Sequence, residues 1–386
     1  MSCVYSLVTK DSTETLKSWL VSRMLGFKDL AIDGRALSKA ACLKKPLPRG
    51  GVAALIKDSK SEELRDHQYK AYCFLPLPIY THLPVHVNGA FELDEARKNL
   101  QKGNAHASRE SADDDLFHSW NRQLLNNVIA PAYAELIKHA GRKMLGNAKI
   151  TESYEDHLKL YDNIFPKDFE AVHGEWRLLA KATLQYIGQR KLQVLPVVEP
   201  TCGTISWHHP DSDTGFAFFD GLDLKDDFGV QEKTAISKLS SRTSSLLRNL
   251  LLRTGFNLLA SSPKLCQAFK ACGVNANFVS PQAVVTYLKS ESVISPGLPA
   301  PLDATAFNDL KTFQAVFDYC LDGVTEPTEL SGLPIRLTND DTLSQFTTEN
   351  ELYVTPHWRV LPCLSEMFLH KDLVTSCTYW FQKNAT

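Results

Sequence analysis

The sequence predicts an α+β protein, and three observations carry that prediction. The first hundred residues hold short runs of β-branched and aromatic residues broken by Gly, Pro and Asn. Beyond a polar stretch, apolar residues recur every three or four positions, the helical period. Farther on, short strand-like segments alternate with helical ones at Pro- or Gly-marked breaks. The expected organisation is a strand-rich unit over 1–100, a polar linker over 101–115, and a mainly helical remainder with short strands over 116–386.

SCVYSLVTK at the start reads as a strand. Residues 12–26 read as a helix capped by Ser12, with Glu14, Leu16, Trp19 and Leu20 following. GGVAALI, YKAYCFLPLPIY, PVHV and AFEL read as strands. Asn88-Gly89 lies between the last two and is the strongest hairpin signal in the chain, since Asn-Gly accepts positive φ at both turn positions. Pro76, Pro78 and Pro84 have no amide to donate, so the strand around Leu75–Leu77 belongs at a sheet edge or ends there. The linker QKGNAHASRESADDD closes on three aspartates that suit a helix N-terminus.

Phe117, Trp120, Leu124, Val128, Ile129, Tyr133, Leu136 and Ile137 then share one helical face, and Pro131 within it predicts a kink or two shorter helices. Trp176, Leu179, Ala180, Leu184 and Ile187 mark the next helix. KLQVLPVV reads as a strand, and SWHHPDSDTGFAFFDG as a turn followed by another. Ser280-Pro281 is an N-cap and N1 pair for PQAVVTYLKS. Phe307, Leu310, Phe313, Phe317 and Leu321 make an amphipathic helix closed by Gly323, and GLPIRLTNDDTLSQF reads as strand, Asn-Asp turn and strand.

Composition excludes several classes. The 386 residues carry 42 Lys and Arg against 44 Asp and Glu, a net charge of −2, with signs interspersed. Nucleic-acid binding needs clustered cations, which this pattern lacks. No run approaches the ~18 uncharged apolar residues of a membrane span. The opening lacks the basic and apolar regions of a secretory signal, so a soluble cytoplasmic protein is expected. The nine cysteines are odd in number, include no CxxC and mostly sit among apolar neighbours, the pattern of reduced buried thiols.

Chemistry-bearing motifs are sparse. There is no GxxxxGK[ST], no GxGxxG after a strand and no GxSxG. Arg49-Gly50-Gly51 lets backbone amides approach an anion beside a positive charge, though a tight turn before a strand accounts for the same residues. His208, His209, Asp211 and Asp213 supply potential metal ligands in what is also ordinary turn sequence, and a metal-dependent hydrolase built on His208 and Asp211 is the weakest of the readings. His82 and His86 read as surface or half-buried side chains, and Asp113–Asp115 and Asp226-Asp227 as solvated acids. No catalytic, cofactor-binding or metal residue is assigned; Arg49 alone is a phosphate-sensing candidate.

One block is more specific. LPRGGVAALI, AYCFLPLP and THLPVHVNGAFEL, over 47–93, closely resemble the signature of the sacsin repeat (Sacsin/Nov) family. NRQLLNNVIAPAYAELI, YDNIFP, NFVSPQAVVTYLKS and FDYCLDGVTEPTELSGLPIRLTNDDTLSQF resemble its later elements, in order. The resemblance implies a chaperone-related role with chaperone machinery and client proteins as partners. It also implies an ATPase-like domain of the GHKL superfamily, yet upstream of Leu47 the Glu/Asn helix, DxGxG and Gly-rich lid are missing; AIDGRAL offers only Asp33-Gly34. The expectation is a non-enzymatic scaffold module without cofactor, lacking the nucleotide domain. The alternative is part of a larger ATP-dependent chaperone whose GHKL domain lies upstream. The strand-like opening and polar tail are what a fragment of a longer protein would present.

Overall fold

The structure is a computed structural model and describes residues 2–10, 15–26, 48–58, 68–101, 112–146, 154–198, 205–210, 217–218, 241–254, 256, 258–259, 263–276, 279–290, 298–322, 324, 326–347 and 369–376. It has the α+β character expected, with sheet first and helices after. Two compact units form. One comprises 1–198, 203–214 and 260–276, the other 199–202, 215–259 and 277–386. Ser12, Glu14, Asp33, Gly34, Asp211, Asp213, Asp226, Asp227, Gly323 and residues 102–111 lie outside the described residues.

The first unit is organised on a six-stranded sheet made of β1 (Ser2–Lys10), β2 (Leu16–Leu25), β3 (Arg49–Asp58), β4 (Lys70–Cys73), β5 (Leu75–Tyr80) and β6 (His86–Gly89). Their order is β1-β2-β3-β6-β4-β5, antiparallel throughout except where β4 runs parallel to β6. β5, with Pro76 and Pro78, is an edge strand as expected. Its partner β4 turns into it through the single residue Phe74, at φ +63°.

Two expectations are corrected here. Residues 16–25 form a strand, not a helix. Leu20, Ser22 and Met24 alternate on its buried face, opposite Ala54, Val52 and Gly50. Ser22, polar but fully buried, hides that alternation in the sequence, and pairing on both sides outweighs a weak local helix signal. Asn88-Gly89 is likewise no hairpin turn. Both residues lie inside β6, paired with Gly51 and Gly50, and AFEL makes no strand of its own.

The helical layer begins with α1 (Ala112–Leu124), a π-helical turn (Leu125–Ile129) and α2 (Ala130–Leu145). Pro131 has no amide for the usual bond four residues back. The break expected there is a widened turn, with the Ala130 amide donating to the Leu125 carbonyl. The π turn and α2 pack on β2 and β3. α3 (Tyr154–Asp162), α4 (Gly174–Gln189) and α6 (Pro263–Ala271) complete this unit with the antiparallel pair β7 (Leu195–Val198) and β8 (Ile205–His208). SWH is therefore strand rather than the turn expected. Buried hydroxyls find carbonyls: Tyr133 donates to Ile164 O at 2.7 Å and Tyr161 to Val194 O at 2.5 Å.

The second unit contains α5 (Ser241–Arg253), α7 (Pro281–Ser290) and α8 (Leu310–Asp322). It also holds a parallel pair, β9 (Ala217–Phe218) with β10 (Leu258–Leu259), and a small sheet ordered β11 (Ala300–Pro301), β13 (Thr342–Ser344), β12 (Arg336–Leu337). Its core joins Leu247, Leu250, Val284, Leu288, Phe313 and Phe317. Ser280 Oγ accepts from the Ala283 amide at 3.1 Å, the cap expected before Pro281. The strand pair flanking the Asn339–Asp341 turn also forms as expected.

Among the described cysteines Cys3 is exposed, while Cys73, Cys266, Cys272 and Cys320 are buried. Burial pushes the Cys272 thiol up to about 11, against a small opposing pull from Lys181, and the Cys320 thiol up to about 12. Both stay protonated and unreactive at neutral pH. A thiol reagent on the native protein should label Cys3 well before Cys320, which it should reach only on unfolding. Peptide mapping that found Cys320 modified as fast as Cys3 would contradict this packing.

Candidate functional site

The two faces of the six-stranded sheet differ because side chains alternate along each strand. Leu20, Met24, Val52, Ala54 and Val87 are buried under the helical layer. The alternate positions stand in register on the other face. Cys3, Arg23, Gly51, Asn88 and Tyr72 form one row across five strands, and Tyr5, Val21, Ala53 and His86 form the next across four. Leu7 and Trp19 follow.

Beyond Arg49, β3 contributes Gly51 and Ala53 to this face, between larger side chains on both sides. The result is a trough of about 810 Å³ along β3. One end holds Arg23, Leu25, Arg49 and Phe74; the other holds Tyr5, Leu7, Trp19 and His86. Among the described residues, no Asp or Glu lines it.

Local contacts set the walls. Phe74 is 62% exposed, and the Arg49 guanidinium lies 4.3 Å from its ring centroid. Asn88 Oδ1 accepts from the Phe74 amide at 3.4 Å, which ties the one-residue turn to β6. His86 sits among Trp19, Tyr69 and Tyr72, with ring centroids 5.1, 5.2 and 5.4 Å away. Its Nδ1 accepts from the Lys70 amide at 2.9 Å, so the neutral ring carries its proton on Nε2. Burial pushes the Tyr69 hydroxyl up to about 12, against a hydrogen bond with the Leu55 backbone that lowers it. Trp19 Nε1 donates to Thr9 Oγ1 at 3.1 Å.

The other sequence candidates fall elsewhere. His82 is exposed, at φ +54° in the loop before β6, and does not share a strand with His86. His208 ends β8 and its Nε2 lies 2.9 Å from Ser206 Oγ; the two are alternate residues on one strand, and Ser206 Oγ also points at the Val197 carbonyl, 3.5 Å away. His209 follows the strand, half-buried. Asp113–Asp115 lie in the first turns of α1. Among the described residues, no three of His, Cys, Asp and Glu are grouped to hold a metal ion. In the second unit, His370 Nε2 is 3.3 Å from Asp341 Oδ1 while its Nδ1 accepts from the Asp372 amide at 3.3 Å, which pins the segment at 369–373 to the Asn339–Asp341 turn.

Sequence reasoning found Arg49 and passed over Arg23, Tyr5, Trp19 and Phe74. Reading 16–25 with period two would have put Trp19, Val21 and Arg23 on one face.

Fold and trough together describe a sheet with one helix-covered face and one side-chain-lined open face, a surface suited to binding. Among known proteins the chain is similar to human sacsin, with 27% identity over 407 residues, an alignment that covers 95% of this chain and 8% of sacsin. No protein-family model matches the chain, and no solved structure does. No helix among the described residues is long and apolar enough to cross a membrane.

Proposed function

We propose that this chain acts through protein contacts, as a chaperone-related scaffold module whose working surface is the open face of the six-stranded sheet. The observation that carries this reading is the exposure of large apolar side chains there and at its rim. Tyr5 is 40%, Leu7 46%, Leu25 41%, Phe74 62% and Leu75 70% exposed. The similarity to sacsin and the resemblance of 47–93 to the sacsin repeat signature support a place in protein folding or quality control, with client proteins and chaperone machinery as partners in the cytoplasm. On this reading the chain is no enzyme and needs no cofactor of its own.

The test is suppression of aggregation, followed by light scattering, when a reporter protein is unfolded by heat beside the full chain. Suppression is expected, with at least a twofold loss when Tyr5, Leu7 and Phe74 are all changed to Ser. A chain that leaves the scattering unchanged even in large molar excess sinks the proposal.

A second reading rests on Arg49, which lines the trough against Phe74 instead of lying in the core. In a larger GHKL-type chaperone with its nucleotide domain upstream, Arg49 would face a nucleotide phosphate. Arg49→Ala in a protein carrying that domain should then slow ATP hydrolysis markedly; an unaltered rate ends this reading.

A further inference from the structure

Building on the protein-contact reading of the open sheet face, we infer that the trough along β3 takes an extended acidic peptide. A carboxylate lies between Arg23 and Arg49, and apolar side chains on the same face of the peptide lie toward Tyr5, Trp19 and His86. Three features of the trough select this occupant.

The first is shape. Gly51 and Ala53 leave a floor without bulk, flanked along its length by Arg23, Val21 and Trp19 on β2 and by Asn88 and His86 on β6. A channel parallel to a strand fits a chain in extended conformation, whose alternate side chains point the same way. Arg49 and Ala53 are four residues apart on one strand, about 13 Å at the usual rise of about 3.3 Å per residue. An acidic residue at position i and apolar residues at i+2 and i+4 of an extended peptide span the same distance.

The second feature is charge. Arg23 and Arg49 occupy diagonal positions on β2 and β3, since Arg23 pairs with Gly51 and Arg49 pairs with Leu25. Both belong to the same face, and no acidic side chain among the described residues lines the trough to offset them. A peptide that covered these guanidinium groups without supplying an anion would desolvate them unpaired, so neutral sequences are penalised and acidic ones favoured. The planar guanidinium of Arg49, held against Phe74, is shaped for a bidentate carboxylate.

The third feature is the mixture of the two. A small inorganic anion would occupy only the arginine end of the trough. Single-stranded nucleic acid would need a cationic track along its whole length, whereas the cations of this trough cluster at one end and its other end is Tyr5, Leu7 and Trp19.

The experiment is fluorescence anisotropy on the full chain with a short labelled peptide of core Glu-Ser-Phe-Ser-Leu, its Gln-for-Glu counterpart, and a labelled oligothymidylate. The acidic peptide should bind about tenfold more tightly than the Gln peptide at low salt, and the ratio should shrink in about 0.5 M salt as screening sets in. Arg23→Gln and Arg49→Gln should each erase most of that ratio while leaving affinity for the Gln peptide within about twofold. Because the peptide comparison is made on the unaltered protein, it does not depend on either variant folding. Equal affinity for the two peptides overturns the inference, and so does tighter binding of the oligothymidylate. In either case the protein-contact reading stands or falls separately, on the aggregation measurement.

Discussion

Gly50→Val should lower the stability of the first unit by about 3 kcal/mol or more, at the upper end of overpacking effects. A Cβ at Gly50 would sit 2.5 Å from Ile129 Cγ1 and 3.2 Å from the Asn88 carbonyl. Ile129 ends the π turn and is fully buried. Gly50 pairs with Gly89 across the sheet, where a Cβ would in turn meet Phe91 at 2.8 Å and Ile129 Cδ1 at 3.1 Å. Two glycines side by side thus form the seat into which one isoleucine is pressed. Neither has a positive φ, so what these positions require is the absence of a side chain and not backbone freedom. A double-mutant cycle separates this from general damage to the strand. Gly50→Ala alone should destabilise by about 1–3 kcal/mol, and Ile129→Ala alone by about 2–5 kcal/mol through the cavity it leaves. In the Ile129→Ala background, Gly50→Ala should cost little or nothing, giving a coupling of about 1–3 kcal/mol. Additive losses in urea titrations would show that the seat is not what the glycines are for.

That seat explains why part of the fold was legible in the sequence and part was not. The composition of GGVAALI announced a strand, and the register then decided everything else about it. Read locally, Arg49-Gly50-Gly51 and Asn88-Gly89 are turn sequences, because most such glycines are needed for φ. Here Gly50 and Gly89 are needed for close approach to Ile129, far along the chain from either, a contact that no local pattern carries. The same limit applies to residues 16–25, whose alternation is interrupted by the buried Ser22 and whose strand state depends on β1 and β3. The long amphipathic helices at 130–145, 174–189 and 310–322 were readable because a 3.6-residue period is written into one segment alone. The trough was readable only at Arg49. Its other residues come from five strands, and they share a face only once the order β1-β2-β3-β6-β4 is fixed. VNGAFEL and the helix that follows are likewise bound to each other in space, by contacts that neither segment announces alone.

The bond between them is the second large effect. Asn121, fully buried on α1, donates from Nδ2 to the Glu92 carbonyl and accepts at Oδ1 from the Glu92 amide, both at 2.8 Å. Trp120 Nε1 donates to the Ala90 carbonyl at 2.9 Å. The segment after β6 is therefore held by two side chains of a helix in addition to its own backbone bonds. In those, the Ala90 amide donates to the Arg49 carbonyl and the Gln101 amide to the Glu92 carbonyl. The Asn121 amide does the work of one more backbone unit. Asn121→Ala leaves the Glu92 amide without its acceptor, while the Gln101 amide still donates to the Glu92 carbonyl at 3.0 Å, and should cost about 1–3 kcal/mol. Asn121→Asp distinguishes a hydrogen-bonding role from simple space filling. The new carboxylate can still accept from the Glu92 amide, but it faces the Glu92 carbonyl with no proton to donate, and burial adds to the penalty on its charge. Its folded pKa must rise above the unfolded value of about 3.9. A group shifted in that direction destabilises the fold at neutral pH, and the deficit fades as pH falls through the raised folded pKa, where the protonated acid donates to the carbonyl as the amide did. The stability gap between Asn121→Asp and the unaltered protein should accordingly narrow from pH 7 toward about pH 5, while the gap for Asn121→Ala stays constant over the same range. Parallel pH profiles for the two variants would mean that Asn121 only fills space, and that Trp120 alone fastens the segment after β6 to the helix.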